Sequence, residues 1–185
     1  MPVHFCKGDS KNKIGFVLST PGKAECKAER PASGETGDNM NAILKILNTS
    51  DPVNFPSTNR YYYLITNAST KVMYAAKDNG KTEDLDSNIT DKGNLDRIRR
   101  EVADCVIVIL CGDKAHLLAT YLNGKSIIKM PHPSNKGLRT KYNNDTPNLR
   151  GISNGKDRDL ARLKLCADSI SSQVSLPIKA ARMRL

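Results

Sequence analysis

The chain has 185 residues, 38% of them hydrophobic, with 29 Lys and Arg against 19 Asp and Glu, a net charge of +10 and a pI near 9.5. This size predicts one domain (1–185, with residues 1–13 and 179–185 as peripheral tails) with a real core, and no apolar run approaches the roughly 18–20 residues of a membrane span. Five scattered cysteines without a Cys-x-x-Cys pair argue against a zinc ribbon, a compact iron–sulfur cluster or a disulfide framework, and suggest reduced thiols in a cytoplasmic protein.

Residues 14–18 (Ile-Gly-Phe-Val-Leu) read as a buried strand, closed by Ser19-Thr20-Pro21-Gly22. A polar stretch, Lys23 to Thr36, precedes a helix carrying Met40, Ile43, Leu44, Ile46 and Leu47 at helical spacing, stopped by Asp51-Pro52. Residues 61–66 (Tyr-Tyr-Tyr-Leu-Ile-Thr) have high β-propensity and lead into Asn67-Ala68-Ser69-Thr70. The segment 75–93 is polar and predicts a mobile surface excursion. A helix is expected over Leu95–Val102, and Cys105–Leu110 is apolar on both faces, as a central parallel strand must be. Cys111-Gly112-Asp113-Lys114 turns that strand into a helix over Ala115–Leu122. Ile127-Ile128-Lys129-Met130 is the fourth strand, 135–156 a polar and basic connection, and Arg158–Ser171 a final helix.

Strands alternating with helices predict an α/β fold: three-layer α/β/α around a central, mainly parallel, four-stranded sheet. Ligands of such sheets sit beyond the carboxyl ends of the strands. One of those ends is distinctive. In Pro131-His132-Pro133-Ser134 two rings fix the backbone on either side of a histidine and present it on a stiff, extended turn. The net charge suggests a polyanionic partner, most simply nucleic acid.

Taken together, strand–Ser19-Thr20-Pro21-Gly22-x-x-Glu25, Arg30-Pro31-x-x-Gly34-x-x-Gly37, Ile65-Thr66-Asn67, Gly112-x-x-Ala115 and His132-Pro133-Ser134 resemble the uracil-DNA glycosylase superfamily in content and order, over residues 14–139. The resemblance implies a monofunctional glycosylase that flips a modified base out of DNA and hydrolyses its N-glycosidic bond. It implies that His132 stabilises the leaving base. Asn67 reads the base edge, with an Asx-turn cap as its structural alternative. Pro21, Gly22, Gly34 and Gly37 let the substrate approach. Pro133, Ser134, Asn135, Lys136, Arg139 and Lys141 contact the DNA backbone, and Leu138 is either a wedge into the vacated stack or a buried loop anchor. DNA is the expected partner. No cofactor, metal or membrane is expected, and the chain should be a monomer.

Two departures qualify the resemblance. Where the fast uracil-cutting branches carry a carboxylate or Asn in the first motif, this chain has Ser19 and Thr20. Neither hydroxyl is an effective base near neutral pH without an activating neighbour. Glu25 or Asp38 can supply the missing carboxylate, with loop bracing as the alternative for Glu25. Catalysis can instead rest on leaving-group stabilisation, or the fold can bind DNA without cutting it. The second departure is the absence of an aromatic across Lys23–Glu29, which points to a base bulkier than uracil. Hydrolysis of free nucleosides fits the +10 charge less well. No P-loop sequence (Gly, four residues, Gly-Lys, Ser or Thr) is present.

Overall fold

A computed structural model describes residues 2–174. In chain order the elements are β1 (Phe5–Cys6), β2 (Ile14–Leu18), α1 (Lys23–Ala28), α2 (Glu35–Ser50), β3 (Leu64–Asn67), α3 (Asp86–Ile89), α4 (Lys92–Glu101), β4 (Ile107–Cys111), α5 (Asp113–His116), β5 (Ser126–Met130), α6 (Asn135–Lys141) and α7 (Gly155–Val174), with 3-10 turns at Arg60–Tyr62, Ala119–Tyr121 and Pro147–Leu149. The strands form one sheet in the order β1-β3-β2-β4-β5. β3, β2, β4 and β5 are mutually parallel, with Leu18 opposite Asn67 and Cys111 opposite Met130. The α/β class and the mainly parallel sheet therefore follow the sequence pattern.

Every residue of β2 and β4 is buried, because both faces of these central strands are covered. Side chains alternate between faces with a period of two. Phe16, Leu18, Ile107 and Ile109 pack with Ile43, Leu44 and Leu47 of α2 and Cys166 and Ile170 of α7. Val17, Val108 and Leu110 pack the other way, onto Leu95 and Ile98 of α4 and Ala115 of α5. Among the described residues, no helix is long and apolar enough to cross a membrane.

The structure corrects several expectations. The sheet has five strands, not four, because Phe5 and Cys6 pair antiparallel with Thr66 and Ile65. Residues 1–13 are therefore not wholly peripheral, and Cys6 is buried. Residues 61 and 62 form a 3-10 turn instead of strand. The side chain of Asn59 accepts from the Tyr61 amide at 3.0 Å, and the Tyr61 ring packs against the guanidinium groups of Arg30 and Arg60, 3.3 and 4.4 Å from its centroid. The segment 75–93 holds the buried residues Asp84 and Ile89 and the short helix α3. A helix, α6, starts the expected loop 135–156, capped by Ser134 Oγ accepting from the Gly137 amide at 3.1 Å. The expected tail 179–185 lies outside the described residues.

Candidate functional site

An open cleft of about 880 Å³ lies at the carboxyl ends of β2, β4 and β5. Ser19 and Thr20 leave β2, Gly112 and Asp113 leave β4, and Met130, Pro131 and His132 leave β5, all lining this one space. α6 contributes Lys136, Gly137, Thr140 and Lys141, and the segment before α3 contributes Thr82 and Glu83. The exposed lysines 129, 136 and 141 outnumber the exposed carboxylates Glu83 and Asp113 and leave the rim net basic.

His132 is held by backbone packing from two sides. Gly112 has φ of +88°, and a Cβ there would lie 2.9 Å from His132 Cβ and 3.1 Å from Ser19 Oγ. A Cβ on Gly137 would collide with the His132 carbonyl oxygen. Both positions thus require glycine, one for its positive φ and both for close approach. The Ser134 amide donates to His132 Nδ1 at 3.3 Å, which leaves the ring proton on Nε2. Burial pushes the imidazole down to about 4, so at neutral pH the ring is uncharged. Among the described residues Nε2 has no acceptor. The result is a neutral N–H donor in a cleft whose rim is positive.

The other half of the cleft is less reactive. Ser19 is buried and its hydroxyl donates to the Cys111 carbonyl at 3.4 Å. Thr20 Oγ1 accepts from the Asp84 amide at 3.3 Å. Asp84 itself is buried and accepts from Ser69 Oγ at 2.6 Å, Asn88 Nδ2 at 2.8 Å and the Leu85 amide at 2.9 Å. Burial pushes its carboxyl up, but these hydrogen bonds, led by that from Ser69, outweigh it and hold the group below the usual value. His116 clamps the ends of two strands through Nε2, 2.9 Å from the Met130 carbonyl and 3.2 Å from that of Leu110.

Of the residues expected at the site, Ser19, Thr20, His132, Ser134, Lys136 and Lys141 line the cleft. Others serve different ends. Both Glu25 oxygens are engaged, accepting from the Gly22 amide at 3.0 Å and the Ser33 amide at 3.1 Å. Glu25 thus braces two loops and is corrected from a catalytic to a structural position. Gly22 and Gly34 cap α1 and α2. Gly37 lies buried in α2 with the Arg60 guanidinium against it, so it serves packing instead of substrate approach. The Pro21 carbonyl accepts from the Met73 amide at 2.9 Å. Leu138 is 3% exposed, inside the main core cluster. The wedge expectation is therefore overturned in favour of the buried anchor, because α6 turns this side chain inward.

The Pro133 carbonyl accepts from Asn39 Nδ2 at 2.9 Å, as does Asn135 Oδ1 at 3.0 Å. Arg139 makes a two-pronged surface pair with Asp159, Nη2 to Oδ2 at 2.7 Å and Nε to Oδ1 at 3.2 Å, which engages its charge within the chain. Asn67 is buried at the end of β3, next to Leu18. Its amide N–H donates to the His4 carbonyl at 3.0 Å, its carbonyl accepts from Arg97 Nη2 at 2.9 Å, and its side-chain Oδ1 has no partner among the described residues. No sequence signal marks Thr82 or Glu83, which line the cleft beside the Asp84–Thr20 bond. Among the described residues, no three His, Cys, Asp or Glu side chains gather where they could hold a metal ion. No known family model matches the chain, and no curated protein matches it.

Proposed function

We propose that the protein is a DNA glycosylase resembling the uracil-DNA glycosylase superfamily, with the three-layer architecture of that fold, acting as a cytoplasmic monomer. It hydrolyses the N-glycosidic bond of a flipped-out modified base and leaves an abasic site. The observation that carries this reading is His132, a neutral donor with a free Nε2–H in a basic-rimmed cleft at the carboxyl edge of the sheet.

The chemistry follows from those groups. A base inside the duplex is out of reach, so it must be extruded at a cost of a few kcal/mol. As the bond to C1′ breaks, negative charge builds on the base and positive charge on the sugar. A fixed donor aimed at the developing anion stabilises that state at no reorganisation cost, and such a donor is typically worth about 10²–10³ in rate. A charged imidazolium is unnecessary, and burial prevents it at neutral pH. Asn67 does not line the cleft; its Oδ1 is a buried acceptor with no partner among the described residues, an arrangement that costs about 1–3 kcal/mol. Lys129, Lys136 and Lys141 attract phosphate. No aromatic apart from Tyr142 and the two histidines lines the cleft among the described residues, which supports a base bulkier than uracil.

A second reading, a DNA-binding module that does not cut, draws on one observation: Ser19 and Thr20 both spend hydrogen bonds inside the protein. One assay separates the two. Duplexes carrying uracil, hypoxanthine, xanthine, hydroxymethyluracil or ethenocytosine are incubated with the protein and scored for alkali-labile sites. Release of at least one base, lost in His132→Ala at preserved DNA affinity, supports the glycosylase. Tight duplex binding with no base released from any member of the panel selects the silent module.

A further inference from the structure

The cleft has a donor for the leaving base but only hydroxyls at the end of β2, so a water molecule there lacks a proton acceptor. Two carboxylates line the same space from elsewhere in the chain, Glu83 and Asp113. Asp113, in the first turn of α5, has a fully exposed side chain, with His116 Nδ1 3.8 Å away. Glu83 is exposed as well, but its backbone is held differently. The residue after it, Asp84, is buried and locked to the end of β2: its amide donates to Thr20 Oγ1 at 3.3 Å, and its carboxylate accepts from Ser69 Oγ at 2.6 Å. The Ser69 amide in turn donates to the Ser19 carbonyl at 3.1 Å. The backbone carrying Glu83 is thus tied to both Ser19 and Thr20. Because Thr20 Oγ1 is the acceptor in its bond with Asp84, its hydroxyl hydrogen stays free to orient a water.

We infer that Glu83 positions and deprotonates the attacking water, a carboxylate supplied to the end of β2 by tertiary structure instead of by the neighbouring sequence. The inference rests on the glycosylase reading above. In the step, the water oxygen bonds to C1′ while the C1′–N bond breaks and its electron pair leaves with the base. Glu83 takes the proton that the water loses, and His132 Nε2–H hydrogen-bonds the departing anion, which is later protonated from solvent. Hydroxyls can orient the water but not accept its proton near neutral pH, whereas a placed general base contributes about 10²–10⁴ in rate.

The test uses the same panel of duplexes under single-turnover conditions. With whichever base the native protein releases, Glu83→Gln is expected to lower the rate about 100-fold or more while binding a duplex with a tetrahydrofuran abasic analogue normally. Formate, a small exogenous carboxylate, is expected to restore part of the rate to Glu83→Ala and none to His132→Ala. Base release by the native protein with Glu83→Gln within threefold of it overturns the assignment and leaves the glycosylase reading standing. Loss in Asp113→Asn with Glu83→Gln near the native rate does the same. Absence of base release by the native protein across the panel overturns both.

Discussion

Replacing His132 by Gln tests the neutral, half-buried imidazole through stability, independently of any substrate. In the unfolded chain a histidine titrates near 6.5, whereas burial brings His132 in the fold down to about 4. Between those values the unfolded chain binds a proton that the folded chain refuses. The native fold is thus fully favoured above about pH 6.5 and loses stability as the pH falls toward 4. From about pH 7 to about pH 5 this one group should cost about 2 kcal/mol, approaching about 3 kcal/mol by pH 4. Gln has similar size and no titration, so His132→Gln should lack that part of the slope. Urea unfolding of both proteins over a pH series measures it. The carboxyls of Asp84, Glu101 and Asp159, held below their usual values by hydrogen bonds and neighbouring charge despite opposing desolvation, act in a more acid window and are common to both proteins. Parallel slopes for the two proteins would refute a neutral His132.

Three further outcomes follow from the packing. Leu138→Ala removes a core side chain and should destabilise the fold by about 2–5 kcal/mol, with single- and double-stranded substrates affected alike; selective loss on duplexes in a stable variant would restore the wedge. Gly112→Ala combines a positive φ with extended ψ, costing about 1–3 kcal/mol, with contacts on His132 and Ser19, so base release should fall far more than DNA affinity, as read by single-turnover rate and anisotropy. Glu25→Ala strips the Gly22 and Ser33 amides of their acceptor and should cost about 1–3 kcal/mol in thermal or urea unfolding, with a smaller effect on catalysis than His132→Ala.

The sequence made the centre of this fold readable because β2 and β4 are continuous apolar runs and α2 carries a clear helical stripe. It misled where one residue decides. α6 has a single buried apolar residue, Leu138, and a glycine in its middle, so no periodicity announces it. Two residues of β1 show no pattern at all; their pairing depends on the open edge of β3. The site was half legible for the same reason. Pro131 and His132 sit together in the chain, as do Ser19 and Thr20, and both pairs reach the cleft. Glu25 is near the end of β2 in sequence but turns to brace two loops, whereas Glu83, 64 residues beyond Ser19, is brought in by the Asp84–Thr20 bond. Tertiary hydrogen bonds of that kind have no sequence signature.

The first strand has a consequence for handling the protein. Phe5 and Cys6 cover the flank of β3, Asp9 donates its amide to the Tyr62 carbonyl at 2.9 Å, and the His4 carbonyl receives the amide of Asn67 at 3.0 Å. Trimming the chain at residue 13, as its polar lysine-rich start invites, would bare the backbone of Leu64–Asn67 along one whole side. An uncovered row of this kind recruits strands from other molecules, so the shortened protein should self-associate through the same strand that ends in Asn67, and its solubility should decline.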